Sequence, residues 1–130
     1  YGFSQCSSLE KVSLPNSVTE IKWNAFEDCS CLTKILIPSS VTSIGISAFS
    51  NCSSLSEVEF CNNSKLTLIG QNAFNGCSAL NQIKIPVSVE KIGDSAFDGC
   101  SSLKQILIPS RLYSEYLGIN PKAKVILVMN

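Results

Sequence analysis

Cysteine is the side chain in this sequence with the most obvious capacity for chemistry. Seven cysteines occur among 130 residues, and a thiolate can serve as a nucleophile or as a metal ligand. Zinc sites combine closely spaced ligand pairs such as C-x-x-C, whereas the only close pair here is Cys29 and Cys31, with one residue between them. We therefore predict that the chain has no metal site and uses no cofactor.

Histidine is absent from the sequence, which removes the usual general base and the commonest metal ligand. A Ser-His-Asp or Cys-His site cannot be built from this chain alone. Glu57 and Glu59 share one face of a predicted strand and resemble a catalytic carboxylate pair. No pocket is apparent that would make them a general acid and base, so we interpret them as solvated surface groups. The sequence predicts that the protein is not an enzyme.

The charge balance argues against two classes of partner. Ten basic and ten acidic residues cancel, so no global field favours nucleic acid or an anionic membrane surface. The longest apolar run, residues 125–129, is far too short to cross a bilayer. We predict no nucleic-acid binding and no membrane insertion by this segment.

The elements that position these residues follow a repeat. Phe3 is followed by Phe26, Phe49, Phe74 and Phe97 at a constant step, except that the step from Phe49 to Phe74 is longer by two residues. A cysteine follows each phenylalanine by three residues, and a leucine follows each cysteine by three. Self-similarity of this kind is typical of solenoids, in which each unit buries its apolar face against its neighbours.

One unit shows how a coil is built. In the segment LTKILIP, Ile35 and Ile37 alternate with outward residues, as in a strand with one buried face, and Pro38 ends the strand. A second alternating stretch, SVTSIG, precedes a turn at Gly45, and Phe49 closes the coil. Stacking at the ~4.8 Å strand spacing then places like residues above like residues. The long step predicts that residues 62–64 bulge from the end of a strand, where Cys61 replaces the proline.

The repeat ends after Pro109. Ser110 can cap a helix over RLYSEYLG, and KVILV supplies a final strand. We therefore predict one continuous domain, with roughly 4.5 coils in residues 1–109 and a helix-strand cap in residues 110–130. No cap is apparent at Tyr1, so we predict that the chain is the C-terminal part of a longer array, and that its open N-terminal end favours self-association.

The pattern L-x-x-I-x-I-P-x-S-V-x-x-I-G-x-x-A-F-x-x-C-S-S resembles the BspA-type leucine-rich repeat, a class with a period of about 23 residues. The resemblance covers Phe3 to Pro109, with Lys22 replacing the turn glycine and Cys61 replacing a proline. It implies an α/β, strand-dominated, right-handed solenoid with a parallel β ladder on its concave face. It also implies that the cysteines that follow each phenylalanine by three residues, here named the column cysteines, are small inward-packing side chains that meet backbone donors. Cys31 and Cys61 lie off that column and are the more reactive thiols.

The concave face is the default binding surface of such arrays. Its outward side chains either bind a protein partner or are simply solvated strand surface, and the sequence leaves both interpretations open. Trp23 and Ile46 should form a small convex patch one coil apart, which either binds a partner or packs locally. The outward strand positions predicted to bind ligand are Lys11, Ser13, Lys34, Leu36, Glu57, Glu59, Gln82, Lys84, Gln105 and Leu107.

Two functions fit the resemblance, whose members are typically surface or secreted proteins of bacteria and protists linked to adhesion. The first is a non-catalytic recognition module at the cell surface or in secretions, which binds host or matrix proteins. The second is an intracellular, cytoplasmic scaffold or effector segment, which unpaired thiols favour. Fold alone does not decide between them.

Overall fold

Short parallel strands dominate the computed structural model, which describes residues 10–112 and 126–129. Within these residues the helical element is a 3-10 turn, Ser110–Leu112. Strands are numbered in chain order and fall into two sets. The first set comprises β1 (Lys11–Ser13), β3 (Lys34–Ile37), β5 (Glu57–Phe60), β7 (Gln82–Lys84), β9 (Gln105–Pro109) and β10 (Ile126–Met129). The second comprises β2 (Glu20–Ile21), β4 (Ser43–Ile44), β6 (Leu68–Ile69) and β8 (Lys91–Ile92).

The four coils from β1 to β8 each contribute one strand to each set, and strands of successive coils pair in parallel, with the exception of β5 and β7. In β3 the residues alternate between exposed and buried, with Ile35 and Ile37 pointing into the core, as the sequence predicts. Ile35 lies opposite Val58 of β5, so buried side chains stack on buried side chains. The second set forms one unbroken four-stranded sheet in the order β2-β4-β6-β8. The predicted parallel-strand solenoid is therefore confirmed.

A column of phenylalanines runs through the core. Phe26, Phe49, Phe74 and Phe97 stack with ring centroids 5.2, 5.2 and 5.5 Å apart and with ring planes within 4° of parallel. All four rings are buried. Aromatic pairs in such contact contribute beyond the area that they bury, so the column ties the coils together along the axis of the solenoid.

Left-handed backbone turns fold the chain back before each phenylalanine. Asn24, Ser47, Asn72 and Ser95 occupy equivalent positions with φ angles of 59°, 57°, 58° and 59°. Asparagine tolerates this region better than most residues with a Cβ atom. The turns bring backbones of neighbouring coils together, and the Phe49 N–H donates to the Ala73 carbonyl at 2.7 Å.

The first ladder is interrupted once. It consists of two separate sheets, β1-β3-β5 and β7-β9-β10, so within the described residues no ladder pairing joins β5 to β7. The interruption coincides with the long step of the repeat, because the two additional residues follow β5. The Cys61 N–H donates to the Ile37 carbonyl at 3.2 Å, which keeps the end of β5 against β3. Asn62 and Asn63 are exposed in the turn that follows, as predicted.

Parts of the two predicted ends lie outside the described residues. The 3-10 turn begins at Ser110, where the cap helix was expected, but residues 113–125 are not described. β10 pairs in parallel with β9 and places Ile126 opposite Ile106. The open N-terminal end and its predicted self-association involve residues 1–9, which likewise lie outside the described range.

Candidate functional site

The outward residues of β1, β3, β5, β7 and β9 form one surface, here named the ladder face. It carries all ten residues predicted for the concave face, and eight of them are exposed. Gln105 and Leu107 are partly buried, whereas the other eight are open to solvent. Leu36 is 47% exposed, so the ladder face presents an apolar side chain on β3.

Lys34 is the centre of the charge distribution on this face. Its Nζ lies 2.9 Å from Glu57 Oε2 and 3.8 Å from Glu59 Oε1. β3 supplies the lysine and β5 supplies both carboxylates, because the ladder register places Lys34 opposite Glu57. Two carboxylates thus share one ammonium group, and the three side chains are each about half exposed.

These contacts determine what the charged groups can do. The hydrogen bond and the charge of Glu57 raise the pKa of Lys34 above its usual value. The hydrogen bond from Lys34 lowers the pKa of Glu57, with a second contribution from Glu59. A general acid needs a raised pKa near neutrality, so Glu57 is an ionised surface carboxylate. It is ion-paired rather than merely solvated, which refines the interpretation from sequence.

A groove opens in the ladder face where β5 and β7 separate. Its volume is about 580 Å³, and both strands contribute to its walls. Glu59 lies on the β5 side and Lys84 on the β7 side, with Phe60 and Val87 near the loop end. The sequence prediction missed this groove. The signal that could have indicated it is the long step of the repeat, which places extra chain at the end of β5.

The column cysteines are structural. Sγ of Cys52 donates to the Phe26 carbonyl at 3.1 Å, and Cys77 and Cys100 donate equivalently to Phe49 and Phe74 at 3.1 and 3.2 Å. The resemblance implied that these side chains meet backbone donors, but the thiol itself is the donor and a carbonyl accepts. Burial raises the pKa of Cys52 and of Cys100 to about 12 and also raises that of Cys77. Thiolate chemistry is thereby suppressed in the column.

The two off-column cysteines are more accessible. Cys31 is exposed and Cys61 is partly buried. No disulfide joins the six cysteines within the described range, and no cluster of three or more cysteine, aspartate or glutamate side chains there could hold a metal ion.

Among the described residues, no helix is long and apolar enough to span a membrane.

The predicted convex patch lies in the turns that follow β2 and β4 of the second sheet. Trp23 is 67% exposed and Ile46 is 51% exposed. The Asn24 N–H donates to the Ile46 carbonyl at 2.9 Å, which places the two residues on adjacent coils. They form an apolar spot too small to indicate a partner by itself.

Comparison with known proteins identifies other repeat proteins of the same architecture. The family model described as the BspA type Leucine rich repeat region matches six copies over residues 1–116. Comparison with curated proteins found no significant match. Among solved structures, a leucine rich cell surface protein from Faecalibacterium prausnitzii is 35% identical, with a TM-score of 0.79 over 92% of this chain and 32% of its own length.

Two further structures are similar. A leucine-rich repeat protein from Bacteroides capillosus is 37% identical, with a TM-score of 0.66, and the match covers 74% of each chain. The pneumococcal vaccine antigen PcpA is 36% identical, with a TM-score of 0.66, over 68% of this chain and 22% of the antigen. The chain therefore spans about a third of the Faecalibacterium protein and less of PcpA.

Proposed function

Because the chain belongs to the BspA-type leucine-rich repeat family, we propose that it is a non-catalytic protein-recognition module of a cell-surface or secreted protein, and that it binds host or matrix proteins. The surface location is supported by the similarity to a bacterial cell-surface protein and to a pneumococcal antigen. A repeat scaffold supplies an extended binding surface rather than a catalytic pocket.

The observation that carries this proposal is the composition of the ladder face. Exposed Lys34, Glu57, Glu59 and Lys84 form a patch of both charge signs, with exposed Leu36 beside it. Mixed charge determines which partner is accepted and in which register. The partner we propose is a protein surface with complementary charges of both signs.

The experiment is a binding screen of the purified chain against extracellular-matrix proteins and host cell-surface ectodomains. The test variant combines Lys34→Glu, Glu59→Lys and Lys84→Glu on the ladder face. The matched control combines Glu20→Lys, Lys22→Glu and Lys91→Glu, three exposed positions in or beside the second sheet, and changes the net charge by the same amount. We expect the ladder-face variant to weaken binding about tenfold or more and the control to leave it unchanged.

Two results would contradict the proposal. Absence of binding across the whole screen would reject host and matrix proteins as partners. Equal binding by the ladder-face variant, with loss of binding in the control, would place the interface on the second sheet.

A second candidate function is an intracellular scaffold segment. It is favoured by the absence of a disulfide among the six described cysteines, since disulfides are common in oxidising compartments. A sequence-specific antibody applied to intact and to permeabilised cells distinguishes the two candidates. Staining of intact cells supports the surface module, and staining only after permeabilisation supports the scaffold.

A further inference from the structure

The groove between β5 and β7 is a local opening on a rigid base. Behind it, Phe49 and Phe74 remain stacked at 5.2 Å with ring planes 1° from parallel. The second sheet also continues without a break through this step. The two coils are thus held together at their backs and separated only on the ladder face. A partner that enters the groove meets a preformed site, which lowers the entropic cost of binding.

The charges on the two walls are complementary but do not meet. Elsewhere on the ladder face, opposite charges on adjacent strands pair directly, as Lys34 and Glu57 do at 2.9 Å. Glu59 and Lys84 occupy equivalent positions on β5 and β7, one long step of the repeat apart. Glu59 turns back to Lys34 at 3.8 Å, and Lys84 forms no ion pair, across the groove or elsewhere, within residues 10–112.

The loop end of the groove adds apolar side chains next to the charges. Phe60, which directly follows Glu59, is partly buried, and Val87 is 70% exposed, while Asn62 and Ser64 add polar groups to the same lining. The groove therefore combines a charged region with adjacent apolar side chains. Successive residues of an extended chain advance by ~3.3 Å and alternate their side chains, so a short segment of extended peptide can reach both regions.

From these features we propose that the groove binds an extended peptide segment of the partner protein. A basic side chain of the peptide pairs with Glu59, an acidic one pairs with Lys84, and an apolar one packs at Phe60 and Val87. The inference rests on the proposed function, because it specifies how a protein partner is recognised on the ladder face.

The first test uses a displayed library of random linear peptides, selected on the immobilised chain. Recovered peptides are synthesised and titrated against the wild type and against the double variant Glu59→Gln/Lys84→Gln. The matched control is Glu90→Gln/Lys91→Gln, which removes the same two charges from exposed positions at β8 of the second sheet. We expect peptides that carry both charges, about tenfold weaker binding to the groove variant, and unchanged binding to the control.

The second readout uses native cysteines. Cys61 lines the groove, whereas exposed Cys31 does not. Labelling with a maleimide followed by mass spectrometry reads each thiol separately. A peptide bound in the groove should slow the labelling of Cys61 and leave that of Cys31 unchanged.

The outcomes separate the groove from the wider function. Failure of the selection to yield a peptide, equal binding of the recovered peptides to the groove variant, or absence of protection at Cys61 would each overturn the peptide site. The proposed function would survive if the ladder-face variant still lost binding to a whole protein. If the peptide tests fail and the ladder-face variant also binds the whole protein as tightly as the wild type, the ladder face is rejected as an interface.

Discussion

Substitution of Gly93 by alanine tests the contact on which regular stacking depends. Gly45, Gly70 and Gly93 occupy equivalent positions after successive strands of the second sheet. A Cβ atom on Gly93 would lie 2.4 Å from the Gln71 nitrogen and 2.7 Å from the Gly70 carbonyl carbon. Favourable contacts between carbon atoms lie near 3.5–4.0 Å, so the deficit is roughly 1 Å. Both neighbouring atoms belong to backbone and cannot rotate away.

The energy of the clash can be bounded from the packing. To accommodate the methyl group, the coils must separate and stretch the hydrogen bond from the Gly93 N–H to the Ile69 carbonyl, now 2.7 Å. Overpacking of this kind costs about 1–3 kcal/mol, and the backbone contact places Gly93→Ala near the upper end. The φ angle of Gly93 is not left-handed, so the loss reports the contact and not a backbone preference.

The assay is urea unfolding followed by far-ultraviolet circular dichroism. With a slope of about 1–3 kcal/mol per molar urea, Gly93→Ala should lower the midpoint by about 1–3 M. Lys22→Ala is the control, because Lys22 occupies the equivalent position in the first described coil and is exposed. Its effect should stay within about 0.5 kcal/mol. A Gly93→Ala midpoint equal to that of the wild type would refute close backbone stacking.

Two other properties of the core can be measured. Phe74→Ala removes a buried ring that stacks on both sides, at 5.2 and 5.5 Å, and should cost about 3–5 kcal/mol in urea unfolding; an equal loss for partly buried Phe60→Ala would contradict the stacking argument. Native Cys77 should react with a disulfide reagent only as fast as the chain unfolds, and Cys31 at once. Because burial raises the pKa of Cys77, its contribution to the free energy of unfolding is complete below the unfolded-state pKa of about 8.5 and is lost as pH rises beyond it. A urea midpoint that does not fall between about pH 8 and about pH 10 would refute this linkage.

The buried half of the molecule could be predicted from the sequence because each coil repeats the environment of the last. Phe49 must lie between Phe26 and Phe74 once the coils are in register, and alternation within β3 assigns Ile35 to the core. These inferences need only the period and the polarity of the residues. No detail of hydrogen-bond geometry enters them.

The interrupted ladder could not be predicted on the same basis. The sequence locates two extra residues after β5. It does not determine whether these residues only lengthen the loop or also prevent β5 from pairing with β7. That outcome depends on competing hydrogen bonds, such as the one from Cys61 N–H to the Ile37 carbonyl, which exists because Cys61 replaces a proline without an N–H.

Departures from the repeat therefore carry the information that the repeat itself lacks. Ser40 and Ser88 each donate to a carbonyl of the preceding coil at 2.6 Å, Val18 and Leu66 respectively. Arg111 occupies the equivalent position at the end of the array and donates to the carbonyls of Val89, at 2.7 Å, and Val87. The same carbonyl column is thus satisfied by a longer, charged side chain just where the regular coils end.

By the same reasoning, Cys61 marks the point at which the ladder opens. The outward residues Lys34, Glu59 and Lys84 differ from coil to coil because the core places no constraint on them. Selection for a partner can act on such positions without a cost to the stacked core.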